Sequence, residues 1–327
     1  MKAMRYHRFG PPEALACEEI EIPAAGPGQV LVRVEACGVN FADAAQRAGT
    51  YPVPIALPAI PGLEVYGPVQ AVGEGVDPGL IGQAVFAIPF GGGYAQYCLA
   101  SAQGVIPAPP GLEPADGLAL LIQGLTAGLI FKRSARLKPG ESVLVQAAAG
   151  GVGSLALQLA RVHGAGRVIG AVGSEAKREL VLELGADGCV DYSRPDWTQE
   201  VRRLTGGKGV DLVLEMTGGR VFEQSFDSMA DFARTVVFGF ASGEEGVTPL
   251  HKLALGNREM IGFYLPRYLQ EPGLIAETFG ELARLVLDGR IKVARGEAFA
   301  LQDAAEMHRR IEARQTTGKV VLLPWAQ

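Results

Sequence analysis

Two rhythms of apolar residues divide the chain. Up to about Gly117, short β-type runs at 30–34 (VLVRV), 65–72 and 84–88 alternate with glycine- and proline-rich punctuation such as GEGVDPG. This pattern predicts a β-rich domain with few helices, and the apolar residues at 44–48 are too few to assign. From Leu118 the spacing changes to that of helices alternating with short continuous apolar runs. Helices are predicted at 118–131, 152–163, 175–184, 197–204 and 220–229, with strands at 142–146, 167–172, 189–192, 210–215 and 235–239. Continuous apolar strands are buried on both faces, and a parallel pair needs a crossover helix, so this half predicts an α/β, doubly wound parallel sheet. After Asn257 come an edge-like strand (REMIGFYL), a helix at 274–287 and a last strand at 318–324, read as returning to the first domain. The expected division is 1–120 with 263–327 for the β-rich domain and 121–262 for the Rossmann domain.

The stretch LVQAAAGGVGSLALQ joins the first predicted strand of the second half to its helix. With Ala148 in the first place it follows the G-x-G-x-x-G order. Gly150 lets the backbone approach a pyrophosphate, and Gly153 lets the helix pack on the strand. The helix N-terminus then offers unpaired N–H groups to the anion. An NAD site places Asp or Glu at the end of the second strand to hold the ribose 2′-hydroxyl. Here that strand ends in Gly173-Ser174, with Lys177 and Arg178 following, which leaves room and a cation for a 2′-phosphate. NADPH is therefore the expected cofactor, with nearby Glu175 the feature that argues for NAD.

Composition narrows the classes. The chain has 327 residues, 48% of them hydrophobic, and a net charge of -5. That is length for two domains and apolar content for a large core, while a mildly acidic surface would repel nucleic acid and anionic membranes. Cys17, Cys37, Cys98 and Cys189 are too far apart for a zinc knuckle or a disulfide framework, and are expected as isolated buried thiols in a reducing compartment. The N-terminus has no apolar leader segment and no later run of membrane length is evident, so a cytoplasmic protein without membrane insertion is expected. Scarce asparagine (Asn40 and Asn257) with Arg exceeding Lys fits either a thermophile or a GC-rich genome.

GVNFADAAQRAGTYP, PAIPGLEVYGPVQAVGEGV, QGLTAG, LKPGESVLVQAAAGGVGSLALQLA, VFGFASG and TTGKVVLLP, in this order, resemble the zinc-free quinone oxidoreductases of the medium-chain dehydrogenase/reductase superfamily over essentially the whole chain. The resemblance implies a Rossmann domain plus a GroES-like catalytic domain. Where zinc-dependent relatives place metal ligands, this chain has Asn40, Leu63 and Ile122, none of them a usual zinc ligand, so no metal is expected. Without a Lewis acid, the activated acceptors are quinones and conjugated carbonyls, to which hydride adds with hydrogen-bond help alone.

Asn40, in the vacated metal position, can donate to a substrate oxygen or orient a cofactor oxygen; the competing reading is a structural turn residue. Asp43 fixes the same loop and is grouped with the cofactor contacts. Tyr51 is a candidate proton donor or a packed, half-buried tyrosine, and Arg47 steers an anion or sits on the surface. The resemblance further implies that Gly151 and Val152 meet the pyrophosphate, that Gly173, Ser174, Lys177 and Tyr192 surround the 2′-phosphate, and that Thr126, Thr217, Phe238, Gly239 and Phe240 line the nicotinamide side. It implies too that Tyr264 and Lys319 close over the cofactor. The alternatives are an enone or alkenal double-bond reductase and a non-enzymatic NADPH-binding protein. The exposed edge implied by NREMIGFYL suggests a homodimer.

Overall fold

The computed structural model describes residues 1–89 and 91–326, which form two compact units, 1–123 with 269–327 and 124–268. In the first unit the main sheet runs in the order Arg295–Ala300, Lys319–Leu323, Ala36–Gly38, Glu64–Val72, Gln29–Arg33 and Tyr97–Ser101. Ala84–Ala87 joins it against Glu64–Val72 and pairs Val105–Pro107 in turn. All these pairs are antiparallel except Arg295–Ala300 with Lys319–Leu323. The inward faces bury Val30, Val32, Val65, Val85 and Leu322, around which Met4, Tyr94 and Met307 pack. The returning segment thus contributes two strands to one end of this sheet, Arg295–Ala300 at the edge and Lys319–Leu323 next to it.

The apolar residues around 44–48 belong to a helix, Phe41–Ala48. Its start is fixed by Asp43 Oδ2, which accepts from the Asn40 N–H at 2.8 Å, and its end by Gly49 at φ 79°, in the left-handed region. Eight residues give too few periods to stand out in sequence.

The second unit is built on a six-stranded, wholly parallel sheet. Its order is Gly188–Asp191, Arg167–Val172, Ser142–Val145, Val210–Glu215, Met229–Val237, Glu259–Gly262. The order reverses between Ser142–Val145 and Val210–Glu215, so the crevice beyond their carboxyl ends is the switch point where doubly wound sheets bind ligands. Helices Gly151–Val162 and Trp197–Leu204 fall where the periodicity places them. His163 caps the first of these and stacks on Phe131 at 5.1 Å, a structural role.

Two expectations change. The stretch Pro114–Ser134, 21 residues with π-turns at Leu120–Gly124 and Ile130–Ser134, is long and apolar enough to cross a membrane by length and composition. Its most apolar window is 83% buried inside the protein, the environment of a core helix. Among the cysteines, Cys37, Cys98 and Cys189 are buried, but Cys17 is exposed because it lies on Ala16–Glu19 of a two-stranded hairpin.

Candidate functional site

The glycine turn has the geometry of an anion cradle. Ala147 takes φ 47°, turning the chain sharply after Ser142–Val145, and the Gly150 N–H closes the turn on the Ala147 carbonyl at 2.8 Å. Gly150 then caps helix Gly151–Val162, with no side chain bonded to the first-turn amides and no acid in that turn. These orphan N–H groups and the helix dipole are what a pyrophosphate requires. A Cβ on Gly153 would overlap the Ala147 carbonyl oxygen and lie 2.8 Å from Ala148 Cα, so only glycine lets the helix approach the strand this closely. A Cβ on Gly150 would meet only the Ala147 oxygen, at 3.1 Å, which leaves its outer face open to a ligand.

The neighbouring strand ends supply the rest of the cradle. Gly173 and Ser174 follow Arg167–Val172, and the Tyr192 hydroxyl lies 3.0 Å from where a Gly173 Cβ would be, so a side chain there would fill this corner. The Lys177 N–H bonds the Ser174 carbonyl at 3.1 Å, while Arg178 turns to the Cys189 carbonyl and Glu175. The structure thus brings Gly173, Ser174, Lys177 and Tyr192 together. At the switch point, buried Glu215 accepts from the N–H groups of Thr217 (2.6 Å) and Gly218 (3.1 Å) and from the Ser225 hydroxyl (3.1 Å). Burial pushes its carboxyl above the usual carboxylate range. Thr217 Oγ1, buried beside it, has no hydrogen-bond partner among the described residues. Phe238 bonds the Glu215 carbonyl and Ser242 the Thr217 carbonyl, which brings Phe238, Gly239 and Phe240 alongside Thr217. Thr126 is buried in Leu125–Leu129, and Tyr264 is exposed. These glycines, orphan amides and the orphan hydroxyl fit a dinucleotide. By contrast, a hollow of about 510 Å³ in the same unit lies at the amino ends of the strands, where Arg202 and Arg258 cap carbonyls of Phe226, Asp227 and Met229.

In the first unit, Asn40 follows strand Ala36–Gly38 and stands at the N-cap of helix Phe41–Ala48. Its Nδ2 donates to Glu64 Oε1 at 2.7 Å, and its Oδ1 accepts from Gln123 Nε2 at 3.2 Å. Tyr51, half-buried, follows the same helix, its N–H bonded to the Ala45 carbonyl. Two expected cofactor contacts point inward instead. Asp43 is fully buried and accepts the N–H groups of Asn40 and Gly62, so it anchors the loop. Lys319 is buried with its ammonium on Glu64, on a strand paired on both sides, by Arg295–Ala300 and by Ala36–Gly38.

Arg47 neither steers an anion nor lies on the surface. It is buried, pairing with Glu312, donating to the Gly10 carbonyl and reaching His308 Nδ1 at 3.5 Å. A guanidinium can only donate, so His308 is neutral with its proton on Nε2, directed at the Tyr94 oxygen 3.2 Å away. Tyr94 in turn bonds Asp43. Burial, with Arg47 beside it, pushes the His308 imidazole down to about 3, and burial pushes Asp43 up to about 7. Glu64, Gln123 and His308 act through partners distant in the chain, which no local pattern announces, whereas the partners of Glu215, also missed, lie within ten residues of it. Among the described residues, no group of three His, Cys, Asp or Glu side chains converges.

Comparison with known proteins agrees with this architecture. The alcohol dehydrogenase GroES-like domain matches residues 26–110 and the zinc-binding dehydrogenase domain residues 151–286. Rat quinone oxidoreductase is 34% identical over 99% of this chain and 98% of its own length. A 2-haloacrylate reductase from Burkholderia is 35% identical over 98% of each. The structure of Escherichia coli quinone oxidoreductase complexed with NADPH matches with a TM-score of 0.92 at 31% identity, over 99% of this chain and 100% of that one. The parallel sheet with its glycine cradle, the GroES-like unit and relatedness along the full length together make this chain a member of the medium-chain dehydrogenase/reductase superfamily, among its quinone oxidoreductases.

Proposed function

We propose that the protein is an NADPH-dependent reductase of quinones and related conjugated carbonyls that works without zinc. The observation that carries this reading is the pairing of an open glycine cradle with a second strand that ends in Gly173-Ser174, after which exposed Glu175 pairs with Arg178 and Lys177 follows as the cation. Gly150, Gly151, Val152 and Gly153 would hold the pyrophosphate; Gly173, Ser174, Lys177 and Tyr192 the 2′-phosphate; Thr126, Thr217, Phe238, Gly239, Phe240 and Tyr264 the nicotinamide end. NADPH, when bound, supplies the hydride. Asn40 donates a hydrogen bond to the acceptor oxygen as it gains charge, and Tyr51 or solvent supplies the proton.

The Burkholderia relative, named for reducing 2-haloacrylate, favours an activated-alkene reductase as the second reading. Loss of NADPH absorbance with a simple quinone, an alkenal and 2-chloroacrylate in parallel separates the two. Turnover confined to the alkenes overturns the quinone assignment, and tight NADPH binding without turnover by any acceptor makes the protein a cofactor-binding protein. Lys177→Ala should weaken NADPH binding about tenfold or more, the loss of one charge-assisted contact, and leave NADH unchanged. Equal weakening of both would remove Lys177 from the 2′-phosphate site.

We also propose a homodimer. Strand Glu259–Gly262 lies at the edge of the parallel sheet, with Met260, Val247 and Leu250 exposed on or before it, and an apolar edge needs cover. A monomeric mass in sedimentation equilibrium would exclude it. The buried free thiols Cys37, Cys98 and Cys189 fit a reducing, cytoplasmic setting.

A further inference from the structure

Strand Ala36–Gly38 lies between Glu64–Val72 and Lys319–Leu323, so residues at its end meet the first residues of both neighbours. There Glu64 and Lys319 form an ion pair with both side chains wholly out of solvent. Lys319 Nζ also donates to the Val39 carbonyl at 3.3 Å. Glu64 Oε2 accepts the Ile122 N–H at 2.8 Å, while Oε1 accepts Asn40 Nδ2. A Cβ on Gly38 would lie 2.5 Å from Glu64 Oε1 and 2.7 Å from Lys319 Cε, so the glycine is what admits the pair.

This arrangement fixes the sense of the Asn40 carboxamide. A carboxylate only accepts, so Nδ2 must face Glu64, and Gln123 Nε2 holds Oδ1 at the other end. One N–H of Nδ2 is bound and the second is left to donate. An uncompensated carboxylate directly behind that donor would oppose negative charge forming in front of it. At roughly 6 Å and an effective dielectric near 20, the opposition is on the order of a hundredfold. The Lys319 ammonium, in contact with the same carboxylate oxygen, cancels most of it.

We propose that Lys319 is a positioning and charge-balancing residue: by neutralising Glu64 it lets the carboxamide that Glu64 orients stabilise an oxygen gaining negative charge on a quinone-type or conjugated-carbonyl acceptor. This rests on the function proposed above, but its test requires no turnover. 4-Nitrophenol serves as the probe, because its absorbance reports whether the bound form is phenol or phenolate. The apparent pKa of the bound probe should rise by about one unit or more in Lys319→Met, a tenfold loss of phenolate preference. It should return to within about threefold of the wild-type ratio in Glu64→Gln/Lys319→Met, which removes both charges. Asn40→Leu should abolish binding of the probe, locating it. NADPH affinity, read by fluorescence, should change less than about tenfold in the Lys319 variants, since the ammonium is wholly buried on Glu64 and at most one neutral hydrogen bond is at stake. If Lys319→Met does not fold, Glu64→Gln alone carries the test, since its unbalanced cation must lower the bound pKa. An unchanged ionisation ratio in Lys319→Met, a double variant that behaves like it, or no binding of nitrophenol to the wild type would overturn the proposal. Failure of the wild type to oxidise NADPH with any acceptor would instead overturn the proposed function.

Discussion

Substituting Gly153 and Gly150 one at a time separates the packing role of the glycine turn from its ligand role. In Gly153→Ala the new Cβ would stand 2.8 Å from Ala148 Cα and closer still to the Ala147 oxygen, both backbone atoms that cannot rotate away. Restoring an ordinary carbon–carbon contact of about 3.5 Å means lifting the start of helix Gly151–Val162 by roughly 0.7 Å. Overpacking of this kind costs about 1–3 kcal/mol, and the better helix propensity of alanine returns at most about 1 kcal/mol. A net loss of about 1–2 kcal/mol in urea unfolding is expected. The same shift moves the first-turn amides off the phosphate, so NADPH affinity should fall at least about tenfold. Gly150 has φ -82° and ψ 174°, which alanine adopts without strain, and its only close neighbour would be the Ala147 oxygen at 3.1 Å. Gly150→Ala should keep stability within about 1 kcal/mol of the wild type while losing NADPH affinity about tenfold or more, because its methyl group occupies the ligand face. Paired urea melts and fluorescence titrations of NADPH read both quantities. Unchanged NADPH affinity in Gly150→Ala would refute the cradle, and an undiminished urea midpoint in Gly153→Ala would refute the packing argument.

Two further outcomes follow from the buried polar chain of the first unit. Arg47→Met leaves the His308 nitrogen and the Gly10 carbonyl without their donor, while Glu312, about a third exposed, regains water. A loss of about 2–4 kcal/mol in a denaturant melt is expected, and a loss below 1 kcal/mol would show that the arginine is peripheral to stability. His308, lowered from 6.5 to about 3, contributes stability that is fully present above pH 6.5 and is lost as pH falls through about 3. His308→Gln should therefore flatten the acid limb of a stability–pH curve, and an unchanged limb would contradict the neutral assignment. Asp43, raised from 3.8 to about 7, works in the opposite sense, its contribution present below pH 3.8 and lost as pH rises through about 7.

What could be read from the chain alone was what local patterns encode. Strand Val210–Glu215 and helix Trp197–Leu204 fall where the apolar spacing puts them, and the glycine turn announces itself by the strand before it and the helix after it. The helix Phe41–Ala48 escaped because its evidence lies in capping by Asp43 and Gly49 rather than in periodicity. The surroundings of Asn40 were out of reach for a different reason. Glu64 and Lys319 are 255 positions apart, and nothing local to either says that a strand carries them into contact. Lys319 next to a glycine resembles a surface cation waiting for a phosphate, and only a strand paired on both sides, by Arg295–Ala300 and by Ala36–Gly38, brings it onto Glu64. Arg47 misled in the same way, since a basic residue in the last turn of a short helix usually faces water.

Mixing the purified protein, carrying one equivalent of NADPH, with a simple quinone in the presence of a strong zinc chelator tests the central claim most directly. The account predicts that the bound NADPH is oxidised in a single turnover, that the chelator makes no difference, and that NADH at the same concentration reacts far less because it binds less. Bound NADPH that survives the quinone unchanged, or oxidation that stops when the chelator is added, would contradict it.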